Sequence, residues 1–135
     1  MKYIRTEDDL RPFAGFVHRP EEPGYSFIIC GDAETYGRER TGTDLNQLVS
    51  RRVSFSLHKW PPGKAHGMHH HKTWEQCYYI FAGQAEITVG DEKMVVGPGG
   101  SAYMPPNVDH DIVAVGNETL IAGVITCPLT DEELD

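Results

Sequence analysis

No stretch of this sequence approaches the roughly 20 consecutive apolar residues that a membrane-spanning helix needs, and no helical period persists beyond a turn. Positive charge is scarce. Lys and Arg number 12 against 20 Asp and Glu, a formal net charge of −8, which repels nucleic acid and anionic membrane surfaces alike. Cysteine is sparse too: Cys30, Cys77 and Cys127 are odd in number and far apart. They suggest neither a disulfide framework nor a CxxC site and are expected to be reduced, partly buried thiols. The opening residues, MKYIRTEDDLRPF, lack the apolar core of a secretory signal, so a cytoplasmic location is expected. Repeats and low-complexity segments are missing as well.

What the sequence has in quantity is turn chemistry. Fourteen Gly and nine Pro among 135 residues punctuate short β-branched and aromatic runs, the pattern of an all-β sandwich or barrel. Expected strands are Tyr25–Cys30, Arg51–Trp60, Gly67–His71, Gln76–Phe81, Ala85–Val89, Lys93–Val96, Ala102–Met104, His110–Val115 and Leu120–Thr126. Thr6–Asp9 and Thr130–Glu133 each read as one capped helical turn. The polar, aperiodic segment Gly31–Leu48 reads as an irregular connection. The whole is expected to be one domain: an N-terminal extension over 1–50, a barrel over 51–128 and an acidic tail over 129–135.

Four of the seven histidines fall within Ala65–Lys72. In a strand, alternation sends His69 and His71 to one face and His70 to the other. Two imidazoles one strand step apart can chelate a single ion. Gln76 begins the next strand, where it can lie beside the pair, and His110 opens another strand far downstream. An inward-facing set of four such polar side chains would be costly without a partner, and a metal ion supplies one.

The full pattern is Gly63-x5-His69-x-His71-x4-Gln76-x6-Gly83, then Gly99-x5-Pro105-x-Asn107-x2-His110. It resembles the two sequence motifs of the cupin superfamily, over roughly Val53 to Thr126. The resemblance implies a double-stranded β-helix, or jelly-roll barrel, and a homodimer. It also implies one divalent transition metal held by His69, His71, Gln76 and His110. The family usually places Glu where this chain has Gln76, and Glu75 is the alternative oxygen ligand. The six-residue spacing to Gly83 and the barrel-facing parity of Gln76, Tyr78 and Ile80 favour Gln76. Asn107 replaces the family's usual Gly, and Asn tolerates the left-handed backbone such a turn needs.

Three neutral imidazoles and one amide leave the ion's charge uncancelled, so the expected partner is a small anionic, oxygen-chelating molecule: a sugar acid, keto acid or hydroxy acid. Fe, Mn, Ni and Zn suit such ligands. The leading expectation is an enzyme of isomerase, lyase or ring-opening type, with Tyr78 as the acid or base. The alternatives are a dioxygenase of an enol, diketone or catechol, and a non-catalytic binding protein. Tyr103 and His66 are weaker candidates, and Trp74 a wall of the pocket mouth. Asp109 is expected to face away from the site, and His18 and His58 to be structural.

Overall fold

The computed structural model describes residues 4–10, 25–30 and 54–134. They form one helical turn, α1 (Glu7–Leu10), and eight strands: β1 (Tyr25–Cys30), β2 (Ser54–Trp60), β3 (Trp74–Ala82), β4 (Gln84–Val89), β5 (Glu92–Val96), β6 (Ser101–Met104), β7 (His110–Val115) and β8 (Leu120–Pro128). The connection expected at Gly31–Leu48, the start of the strand expected from Arg51, and His18 lie outside the described residues. Both single turns form. The Thr6 hydroxyl donates to Asp9 Oδ2 at 2.9 Å and the Thr130 hydroxyl to Glu133 Oε1 at 2.8 Å. No described helix is long and apolar enough to cross a membrane.

The strands build two antiparallel sheets, β1-β2-β8-β3-β6 and β5-β4-β7, in agreement with the expected all-β jelly roll. Alternation dictates which side chains meet inside. In β2 the residues Ser54, Ser56, His58 and Trp60 are buried while those between them are only partly so. Antiparallel pairing lines these residues up in rows across the sheet. Trp60 opposes Leu120, His58 opposes Ala122, and Ser54 opposes Thr126. Thr126 in turn opposes Gln76, and Gln76 opposes Met104. On the other sheet Ala85 opposes Ala114, Ile87 opposes Ile112, and Val89 opposes His110.

The interior therefore has two ends of different chemistry. Trp60, Leu120, Ile80 and Ile112 are fully enclosed and form an apolar core, whose burial drives the two sheets together. At the other end the inward residues are Ser54, Thr126, Gln76 and His110.

The turns that hold this arrangement follow from backbone chemistry. Gly83, between β3 and β4, has φ +74°, and a Cβ there would lie 2.6 Å from the Thr119 carbonyl oxygen and 2.8 Å from Leu120 Cα. Only glycine fits that crossing.

One expected strand does not form. Gly67–His71 is not a continuous strand; the stretch around it pairs with β7 through two isolated bridges, Ala65 with Val113 and His69 with His110. Three residues lie between the bridges on one side and two on the other, so one extra residue bulges out, and Gly67 takes φ +95° there. The bulge has a consequence for the interior. Before it the even positions Lys64 and His66 are the more buried; after it the odd positions His69 and His71 are.

Candidate metal centre

His69 and His110 form a reciprocal backbone pair, the His69 N–H donating to the His110 carbonyl at 3.1 Å and the His110 N–H to the His69 carbonyl at 2.8 Å. Directly opposed residues of an antiparallel pair send their side chains to the same face, and the two ring centroids lie 4.4 Å apart. The His71 ring is 4.8 Å from that of His69 and 5.2 Å from that of His110. The segment carrying His71 is fixed by the turn between β6 and β7, where the backbone N–H of Asn107, at φ 64°, donates to the His71 carbonyl at 2.7 Å. One ligand atom from each of His69, His71 and His110 lies within 4.8 Å of the others, a cluster compatible with a single metal ion.

The second ring nitrogens are committed in the way metal ligands require. His69 Nδ1 is 2.6 Å from the Gly67 carbonyl, and His110 Nδ1 is 3.2 Å from the Val108 carbonyl. A carbonyl only accepts, so both Nδ1 atoms carry the proton and both Nε2 atoms present a lone pair. His110 Nε2 is buried without a hydrogen-bond partner. The same holds for Gln76 Oε1, whose amide is oriented by donation from Nε2 to the Thr126 hydroxyl at 2.9 Å. Each such orphan costs about 1–3 kcal/mol. Both are lone-pair donors beside the His cluster, so the residues present fit a metal ion.

Parity on β3 places the remaining candidates. Tyr78 and Ile80 are buried, on the face of Gln76, whereas Cys77, Tyr79 and Phe81 are exposed. The Glu75 carboxylate, the alternative oxygen ligand, accepts a 2.6 Å hydrogen bond from the Tyr103 hydroxyl. That hydrogen bond, ahead of desolvation, raises the Tyr103 pKa above the ordinary phenol value. His70 turns outward, its Nδ1 2.9 Å from Asp109 Oδ1, which places Asp109 where the sequence put it. The Trp74 ring lies 4.5 Å from that of His71, and its indole N–H is buried without an acceptor.

Three further residues neighbour the cluster, and His66 among them is already a weaker candidate in the sequence. His66, brought inward by the bulge, sits 4.7 Å from His69. His58, expected to be structural, stacks on Trp60 at 4.3 Å and approaches His66 at 6.0 Å. The alternation of β2 carried the signal for His58, since it shares the face of Trp60. A third, Asp111, accepts the Gly67 N–H at 2.9 Å and so pins the bulge.

Burial favours the uncharged form of His66, His71 and His110. Burial, reinforced by His69, lowers the His66 pKa to about 4. Burial, then His69 and His110, lowers His71 to about 4 as well, and burial lowers His110. In the unfolded chain these groups return to the ordinary value of 6.5. As pH falls below 6.5 the unfolded chain takes up protons that the folded chain refuses until about 4, so stability falls across that window and is unaffected above it. Thermal unfolding of metal-free protein is therefore expected to show a midpoint that drops steadily over this range, and drops less in His66→Phe. A midpoint equally insensitive in both proteins would contradict the assignment.

Comparison with known proteins agrees with this architecture. The sequence profile of the Cupin domain family matches residues 56–126. The uncharacterized protein MJ1618 of Methanocaldococcus jannaschii is 38% identical over 121 residues, covering 89% of this chain and 82% of that one. Among solved structures, TT1209 from Thermus thermophilus superposes with TM-score 0.66 at 20% identity, covering 96% of this chain and 100% of that one. A predicted oxalate decarboxylase from Thermotoga maritima gives TM-score 0.61 at 19% identity, covering 78% and 81%. At these identities the structural likeness is one of fold.

Proposed function

The chain belongs to the cupin domain family, and from that premise we propose that His69, His71, His110 and Gln76 hold one divalent transition metal, Fe, Mn, Ni or Zn, at the catalytic centre of an enzyme. Its substrate is a small anionic, oxygen-chelating molecule, a sugar, keto or hydroxy acid, and its chemistry is isomerisation, elimination or ring opening. The observation that carries this reading is the pair of orphaned atoms, Gln76 Oε1 and His110 Nε2, buried beside the His cluster. When bound, the ion would supply Lewis-acid polarisation of a substrate oxygen.

The chain's own groups do the rest. The depressed pKa values keep His71 and His110 neutral and free to ligate at ordinary pH, and Gln76, unlike Glu, adds no negative charge. The centre thereby keeps close to two positive charges and favours a carboxylate over a neutral polyol. In this reading Tyr78, two residues beyond Gln76 on the same face and 2% exposed, gives or takes a proton at the substrate. Solved structures with this fold include a predicted oxalate decarboxylase from Thermotoga maritima. Homodimer formation, expected from the resemblance, belongs to the same proposal.

The test is anaerobic turnover of uronates, keto acids and hydroxy acids by metal-loaded protein. Product formation without oxygen supports the reading. Oxygen uptake with catechols, enols or diketones, and silence with the acids, would transfer the protein to the dioxygenase class. Tight binding without product under any metal would make it a binding protein.

A further inference from the structure

Among the described residues the barrel is not hydrogen-bonded all the way round. β6 ends one sheet and β5 ends the other, and between these two edges lies a cleft of about 690 Å³, within the size range of small-molecule sites. Part of its wall is apolar and faces inward, while Ser101 and Tyr103 line it from the exposed side. Met94 opposes Ile87 and Val96 opposes Ala85 across the β4–β5 ladder, and Ile87 and Ala85 are core residues, so Met94 and Val96 share the interior face. Ala102 opposes Tyr78 and shares its face. Yet Met94 is 67% exposed, because nothing among the described residues closes the seam above it. The charged residues that line the cleft, Glu92 and Lys93, are exposed.

The cleft comes within one side chain of the metal centre, although no ligand of the centre lines it. Val89, which lines it, is the direct cross-strand partner of His110, and such partners have Cβ atoms about 4.5–5.5 Å apart on one face. A molecule whose oxygens sit at the His cluster thus has an apolar channel one side chain away.

We propose that this cleft holds an apolar body of the substrate, so that the preferred acid carries an alkyl or aryl chain rather than a ring of hydroxyls. The proposal rests on the metal-centred reading and narrows it: a keto or hydroxy acid with a hydrophobic side chain fits, and a polyhydroxylated sugar acid does not. A hydroxyl placed against Val89, Met94, Val96 and Ala102 would lose its water without gaining a partner.

Calorimetric titration of metal-loaded protein with pyruvate, 2-oxobutanoate, 2-oxopentanoate and 2-oxohexanoate tests it, with gluconate as the polyhydroxy comparator. Affinity is expected to rise about fourfold for each buried methylene, with gluconate no tighter than pyruvate. Met94→Asp, at an exposed position, is expected to flatten the series, read as the ratio of 2-oxohexanoate to pyruvate affinity in the same protein. Affinity independent of chain length, with pyruvate still bound, would overturn the cleft and leave the metal reading intact. A slope that survives unaltered in Met94→Asp would also overturn it. Failure of every acid to bind the metal-loaded protein would remove the functional reading itself.

Discussion

Replacing His110 with alanine is expected to release the metal while leaving the barrel folded. The fold should survive because the two hydrogen bonds that tie this position to His69 are made by backbone atoms, which alanine retains. The metal should not, because His110 Nε2 is one of the two lone-pair donors buried with no other partner. Loss of an outer-shell partner of a metal ligand already costs about 10–100-fold in affinity, and loss of the ligand itself should exceed that. At one equivalent of metal, occupancy near one per chain in the parent is expected to fall to roughly a tenth or less by that scale, with turnover reduced at least in proportion. Elemental analysis after gel filtration, alongside circular dichroism, reads both halves of the expectation. A variant that keeps its metal would remove His110 from the ligand set.

Gln76→Glu should act in the opposite direction on the ion and on its anionic ligand. A carboxylate in place of the amide lowers the charge of the centre by one, so the ion is held more tightly and an incoming carboxylate less so. Two unit charges about 4 Å apart interact by about 4 kcal/mol at an effective dielectric of 20. Allowing for water that remains in the site, carboxylate binding is expected to weaken on the order of 10–100-fold while metal content is unchanged. The Thr126 hydroxyl, which accepts from the Gln76 amide in the parent, can donate to the new carboxylate, so the packing need not change. Equal binding of carboxylates by parent and variant would show that charge at this position does not select the substrate.

The parts legible in the sequence were those governed by period and by turn chemistry. Strand alternation alone put Gln76, Tyr78 and Ile80 on one face of β3 and Glu75, Cys77 and Tyr79 on the other, and the burial of Tyr78 and Ile80 against the exposure of Cys77 and Tyr79 follows that pattern. The strands Tyr25–Cys30 and His110–Val115 have their expected bounds. His69, His71 and His110 meet, as the family resemblance implied.

What escaped was decided by local backbone geometry. A two-residue period run through Gly67–His71 gives a strand, and only the left-handed turn at Gly67 breaks it. That break brings His66 to the interior together with His69 and His71, a combination no unbroken strand allows. Gly67 alone was no sufficient signal, because a glycine within such a run is equally compatible with a flat, weakly held strand. The cleft between β5 and β6 was invisible for a different reason. It depends on which strands end the two sheets, and that is a property of the topology rather than of any one segment.

The most direct test of the account is X-ray absorption at the metal edge of protein purified without chelators, with metal content measured on the same sample. The account predicts one transition metal per chain whose inner shell contains three imidazole nitrogens at roughly 2.0–2.2 Å, completed by oxygen. A sample free of transition metal, or an ion whose shell holds no imidazole, would contradict it.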